Sequence, residues 1–266
     1  MPSKATRFGN YTDYSGVAKA GGSASHVPDP RLLQLVSLIP ALFTAKTCLD
    51  IGCNAGGVSC QLALNFQAAS VVGVDKDAKL VAQAQKLLAL RASRVRPATT
   101  HSLRQCEYYP ISAVLSHGYR IEPEQQISPT TAASVPTLPR WPPVRFHTAD
   151  WVTSDNQHLT GPYHVILALS VIKWIHLEHL DPGLLDFFAK CSSALAQGGY
   201  LIIELQTWDS YEKAVRPNAA PHLADNLRLL QYRPETSFDD LLAKQGLHLS
   251  NSTNVLPRRL NVYRKT

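Results

Sequence analysis

The sequence predicts an α/β protein: an open, mostly parallel sheet of seven strands with helices on both faces. Three observations lead there. Short apolar runs alternate with stretches of helical spacing, which is the pattern of βαβ units. A glycine-containing turn, Gly52 to Gly57, joins the first run to a helix. Asp75 closes the second run, 23 residues after Gly52. Open sheets of this kind take ligands at the carboxyl ends of their strands, so the turn and the acid belong to one site.

The elements follow in order. Residues 29–43 read as a helix, with Asp29 as its cap, Pro30 in its first turn and Pro40 bending or ending it. Thr47 to Ile51 is a short apolar run that stops at Gly52, a buried strand. Val58 to Phe66 reads as a helix, Ser70 to Val74 as a strand, and about Asp77 to Arg91 as a helix. Residues 96–143 hold eight of the 18 prolines and show no sustained periodicity, so they read as a long, largely irregular insertion. Strands return at Val144 to Thr148 and Tyr163 to Leu169. Asp181 to Gln197 is a helix that opens Asp-Pro and ends at Gly198-Gly199. Tyr200 to Leu205 is a strand. A helix near Phe238 to Gln245 and strands near Leu247 to Ser250 and Leu260 to Arg264 complete the chain. The domain reading is a segment 1–28, expected to act as a lid, followed by one domain over 29–266.

Composition narrows the class. The 266 residues are 45% apolar and 17% charged, enough to bury a core without staples. No run of 18 apolar residues exists, so no membrane span is expected. The opening residues lack an apolar signal core, so secretion is not expected. The five cysteines (48, 53, 60, 106 and 191) include no C-x-x-C pair. Neither a disulfide framework nor a metal site is expected, and the compartment reads as cytosol or nucleus. The net charge of +6 is unevenly spread. Residues 86–145 carry 8 basic and 3 acidic groups, residues 146–212 carry 2 and 8, and residues 213–266 carry 9 and 4. Basic segments flanking a cleft suit a polyanion such as RNA; an ordinary solvated surface is the plainer alternative.

The turn Asp50-Ile51-Gly52-Cys53-Asn54-Ala55-Gly56-Gly57 lets the backbone approach a ligand closely. A carboxylate at Asp75 can accept from both ribose hydroxyls of a nucleoside cofactor. Asn54 stands where dinucleotide folds place their second glycine, which weakens a pyrophosphate reading. Asp50 can instead face the amino group of S-adenosylmethionine. After the third strand, Asp150 can accept from the adenine amino group while Trp151 covers the ring; a surface Asp beside a core Trp is the alternative.

Further on, Leu169-Ser170-Val171-Ile172-Lys173-Trp174-Ile175-His176-Leu177 stands with Phe8-Gly9-Asn10-Tyr11 and Glu204-Leu205-Gln206-Thr207-Trp208. With these blocks the chain resembles the bicoid-interacting methylphosphate capping enzymes, class I methyltransferases with a Rossmann-like sheet. The resemblance implies S-adenosylmethionine as cofactor and the 5′ phosphate of a small RNA, such as a small nuclear RNA, as acceptor. It implies that Gly52, Asn54, Gly56, Asp75, Asp150, Trp151 and Leu169 line the cofactor site. It implies that Tyr11, Lys173, His176, Gln206 and Trp208 surround the RNA end. Nuclear localisation, possible cytoplasmic presence and ribonucleoprotein partners rest on it too. Two departures are visible. The family's Y-Y-G-Y-R is Tyr14-Ser15-Gly16-Val17-Ala18 here, without the arginine, and both prolines of E-P-Q-P-W are missing.

A phosphate oxygen is already anionic at neutral pH, so the chemistry asks for alignment rather than a strong base. Lys173, the only lysine between residues 87 and 189, fits as a phosphate clamp. His176, three residues on, can share its face if a turn follows the strand; a core histidine is the alternative. Trp208, on the loop after the fifth strand beside Gln206, can stack on the first base or pack in the core. Triphosphate and monophosphate ends are not separated by the sequence. The missing arginine keeps open a catalytically weak subunit that only binds the RNA end.

Overall fold

The computed structural model describes residues 28–99, 102–121 and 141–266. Seven strands form one sheet in the order β3-β2-β1-β4-β5-β7-β6. These are β1 Thr47–Ile51, β2 Ser70–Asp75, β3 Val144–Thr148, β4 Tyr163–Ala168, β5 Leu195–Glu204, β6 Leu247–Thr253 and β7 Leu260–Lys265. All pairings are parallel except those of β7, which runs antiparallel to β5 and to β6. The expected seven-stranded α/β sheet is therefore present.

Alternation along the strands splits the core in two. In β1, Cys48 faces a layer with Leu32 and Leu35 of α1 (Pro30–Leu38), Leu62 of α2 (Gly57–Leu64) and Val81 and Ala84 of α3 (Ala78–Ser93). Leu49 and Ile51 face the other layer, with Leu184, Phe187 and Phe188 of α5 (Ile172–Ala194) and Phe238 and Leu242 of α8 (Phe238–Ala243). Each fully buried phenylalanine contributes about 1.5–3 kcal/mol to this packing. The central strand β4 is buried from Val165 through Ala168, so it shows a continuous apolar run rather than alternation.

The caps act as their chemistry dictates. The Asp29 side chain accepts from the Arg31 N–H, and α1 ends at Leu38, before Pro40. Asp77 caps α3 in the same way.

The element-by-element reading is refined at four places. Within the 96–143 insertion a short helix forms among the described residues, α4 (Ile111–His117), and the Arg120 guanidinium donates to the Ser93 and Val95 carbonyls at 3.2 and 3.0 Å. Helix α5 is broken at Leu180 (φ 59°), two residues before Pro182, which lacks an N–H; the half after the break starts where the helix read at 181–197 was expected to, and the half from Ile172 was not expected. Gly198-Gly199 lies inside β5 rather than ending that helix, where the pairing with β4 shifts register. Two further helices, α6 (Trp208–Ala214) and α7 (Ala224–Leu229), follow β5.

Candidate functional site

The site forms where β1, β2 and β4 end. After β1 the chain turns over the end of β2: the Gly52 and Cys53 N–H groups both donate to the Val74 carbonyl, at 2.8 and 3.0 Å. Gly52 has φ +73°, and a Cβ there would lie 2.7 Å from Val171 Cγ2. The turn thus needs glycine, and it sits directly against the segment linking β4 to α5.

Asp75 fixes the turn from below. Its Oδ2 accepts from the Asn54 N–H and its Oδ1 from the Asp77 N–H, both at 2.9 Å. Asp50 is buried and accepts from Ser59 Oγ at 2.6 Å. Burial raises its pKa to about 6, against the opposing Ser59 hydrogen bond.

Asp150 lies one strand over. Its Oδ2 is 3.3 Å from Lys76 Nζ and 2.9 Å from His179 Nε2, and its Oδ1 accepts from the Val152 N–H at 3.0 Å. Burial works to raise its pKa, but His179, Lys76 and that N–H outweigh it and hold the carboxyl below its usual value. Glu178 joins Asp150 and His179 in a group with the spacing of metal ligands. Lys76 pairs with both acids of that group, so an ammonium already supplies the positive charge a metal would bring. Trp151 is buried in the α5 layer with Lys190 Nζ 4.9 Å from its ring, the arrangement of a core tryptophan. Leu169 is buried in the opposite layer.

Lys173 opens α5. It is 6% exposed, its Nζ donates to Ser210 Oγ at 2.9 Å and to the Ser210 carbonyl at 3.3 Å, and the Trp174 ring lies 4.7 Å away. Among the described residues no carboxylate forms a salt bridge with it. Burial, with repulsion from Arg258, lowers its pKa to about 8. Gln206 Oε1 accepts from the Lys173 N–H at 3.4 Å, tying the end of β5 to the start of the helix.

His176 takes the core alternative. It is 0% exposed, with Nε2 2.7 Å from Asp181 Oδ1 and Nδ1 3.4 Å from the Tyr211 hydroxyl. Burial lowers its pKa despite Asp181. Both nitrogens have protein partners, so in this conformation the ring has none to offer a phosphate. Trp208 begins α6 rather than standing on a loop. Its ring stacks on Tyr211, centroids 5.2 Å apart, and the Arg233 guanidinium lies 3.4 Å from its centroid, so protein groups cover the indole. Tyr11 and the rest of the expected lid lie outside the described residues.

The structure adds residues that sequence reasoning missed. Ser170, between β4 and α5, has φ +60° and donates to Glu204 Oε2. Arg31 Nη1 reaches the same oxygen at 2.8 Å, and Arg258 Nη1 donates to Ser170 Oγ at 2.8 Å. Ser170 and Glu204 stood inside quoted blocks, so their polarity among apolar neighbours was a usable signal. Arg258 had none, because only the β6–β7 reversal brings it here.

The residues from β4 to β7, 163–265, match the model of the bicoid-interacting protein 3 (Bin3) family. A probable RNA methyltransferase of Arabidopsis thaliana is 33% identical over 241 residues, covering 90% of this chain and 72% of that protein. The Drosophila melanogaster U6 snRNA methylphosphate capping enzyme Amus is 29% identical over 242 residues, 90% of this chain but 65% of its own length. Among solved structures, the N-methyltransferase NodS of Bradyrhizobium japonicum superposes with a TM-score of 0.52 at 12% identity, covering 89% of this chain and 94% of that one. That likeness concerns the fold, the class I methyltransferase sheet with its reversed β7. Matched over nine-tenths of its length by the plant protein, the chain belongs to the Bin3 family.

Proposed function

We propose that this chain is an S-adenosylmethionine-dependent methyltransferase acting on the 5′ phosphate of a small RNA, such as a small nuclear RNA. One observation carries the reading: Lys173, a buried ammonium whose near partners are a serine and an indole rather than a carboxylate, opens the helix beside the glycine turn. A buried cation without a counter-ion is costly, and an anion brought by the substrate offsets that cost.

The residues fit the cofactor. Gly52 and Gly56 stand at positive φ where a Cβ would meet Val171, Ala84 and Phe146, so the turn lies close against the end of the sheet, and Asp75 stands beneath it at the end of β2. When bound, S-adenosylmethionine supplies an electrophilic methyl group on a sulfonium, with a neutral sulfide as leaving group. The chain's task is placement. Asp75 takes the ribose hydroxyls; Asp150, oriented by Lys76 and His179, stands on the adenine side. Lys173 holds the phosphate, Gln206 steadies the first turn of α5, and His176 is a positioning residue that acts through Asp181 and Tyr211. No side chain needs to remove a proton from an oxygen already anionic at pH 7. We assign residues 1–28, Tyr11 included, to a lid, 29–266 to the methyltransferase domain, and the protein to the nucleus, among proteins of small ribonucleoproteins.

The test is transfer of labelled methyl to one RNA bearing a triphosphate, a monophosphate or a hydroxyl end. Incorporation is expected only on phosphate ends and is lost after phosphatase treatment. Equal incorporation into hydroxyl-ended RNA overturns the reading.

A further inference from the structure

We infer that the described residues 94–99 and 102–121, with Trp141, form a second RNA-holding surface at the end of the sheet opposite the glycine turn. It takes an unpaired stretch of the RNA body. The inference goes beyond the 5′-phosphate reading and rests on it only for the kind of polymer.

The place follows from the connections. The cofactor turn and Lys173 stand at the carboxyl ends of β1 and β4. Residues 94–121 come after α3, which ends at Ser93, and before β3, which begins at Val144, so they lie at the amino ends of the strands. They are anchored there: the Cys106 thiol donates to the Leu64 carbonyl, the last residue of α2, at 2.6 Å. The Arg94 Nε donates to the Tyr109 carbonyl at 2.7 Å. The neighbouring strands β2 and β3 are six and five residues long, so about 17–20 Å separates the two ends. Arg145 is exposed between them on β3, the edge strand of the sheet.

The side chains suit RNA. Five of the nine large apolar side chains exposed among the described residues fall within 103–119, a concentration rather than a scatter. Tyr108, Tyr109 and Tyr119 are among them, and no other aromatic ring of the described residues is exposed. Arginines are interleaved with the rings. The guanidinium of Arg96 lies 5.3 Å from the Tyr108 centroid, that of Arg120 5.0 Å from Tyr109, and that of Arg104 3.8 Å from Trp141. Among the described residues none of these three arginines forms a salt bridge. The one acid in 94–121, Glu107, is 3.7 Å from the buried Arg91, so its charge is directed inward. What remains outside is positive charge laid on flat rings. Guanidinium groups attract phosphates, and ring and guanidinium faces stack on bases. Paired bases hide those faces, so the surface favours a single strand.

The test is fluorescence anisotropy with 5′-hydroxyl RNA, as single strands of about 5 and about 25 nucleotides and as the longer duplex. Wild type is expected to bind the long single strand most tightly. The variant combining Tyr108→Ser, Tyr109→Ser and Tyr119→Ser should bind it about tenfold more weakly, while Tyr108→Phe, Tyr109→Phe and Tyr119→Phe together keep the affinity, since a phenyl ring still stacks. Methyl transfer to a short triphosphate RNA, unchanged in the serine variant, checks the fold. Independently of any variant, photoactivatable uridine in the long strand should cross-link wild type within 94–121 or at Trp141. Cross-links that avoid these residues, a serine variant that binds the long strand like wild type, or a preference for duplex overturns the surface, and the 5′-phosphate reading stands if phosphate ends are still methylated. Self-association of wild type that the serine variant loses, with RNA binding equal, makes the surface a contact between two copies and overturns it too. Cross-links here without methylation of any phosphate end support the surface and overturn the 5′-phosphate reading.

Discussion

Lys173 is the residue on which most depends, and its environment makes separable predictions. Lys173→Met keeps an apolar stem in the same space and removes the charge. Methyl transfer to phosphate-ended RNA is expected to fall at least a hundredfold, while S-adenosylhomocysteine binding by calorimetry stays unchanged. Asp75→Ala should do the reverse at the first step and abolish S-adenosylhomocysteine binding, because both the ribose acceptor and the anchor of the Asn54 N–H go with it. The pH dependence has a definite sign. With its pKa at about 8, Lys173 is charged well below that pH and loses its proton as pH rises through it. Affinity for a phosphate end should therefore be level below about pH 7 and decline above about 8, and that decline should be absent in Lys173→Met. An anisotropy series from pH 6.5 to 9.5 reads it directly; a level wild-type curve would remove Lys173 from the phosphate site.

At the scale of elements, the break in α5 is held by one carboxylate. Asp181 Oδ1 meets His176 Nε2 at 2.7 Å, and its Oδ2 accepts from the Gln231 N–H at 2.9 Å. It therefore ties the two halves of the helix to the segment after α7. Asp181→Ala leaves a buried imidazole nitrogen and a backbone N–H without their acceptor, and should cost about 2 kcal/mol in urea denaturation. These elements also show what was readable beforehand. Caps, turn glycines and strand ends at Asp29, Gly52 and Asp75 were legible because their chemistry is local. Helices α6 and α7 were not, since seven and six residues are too short to stand alone and are stabilised by packing around Tyr211 and Leu230. Lys173 and His176 were legible as polar residues in an apolar stretch. Which way each faced was not: Asp181 holds the imidazole of one, and Ser210 of α6 holds the ammonium of the other.

For the molecule as a whole, charge sets the terms of encounter. The acidic stretch 146–212 contributes Lys173 to the site, while Arg31 and Arg258 come from sequence segments far outside it. RNA approaching this surface meets attraction spread over a net charge of +6, and displaces counterions as it binds. Affinity for a 20-nucleotide RNA should fall steadily when salt is raised from about 50 to 500 mM, with a log–log slope of several units. Preference for the phosphate end should survive that titration better than overall affinity, because buried charges are screened less than exposed ones.

Val171 lies against Gly52, and Lys173 follows it by two positions, so the glycine turn and the first turn of α5 are packed together. Thermodynamic reciprocity then applies: the factor by which spent donor tightens transcript binding must equal the factor by which transcript tightens spent donor. Trimming Val171 to alanine should shrink both factors together, toward unity.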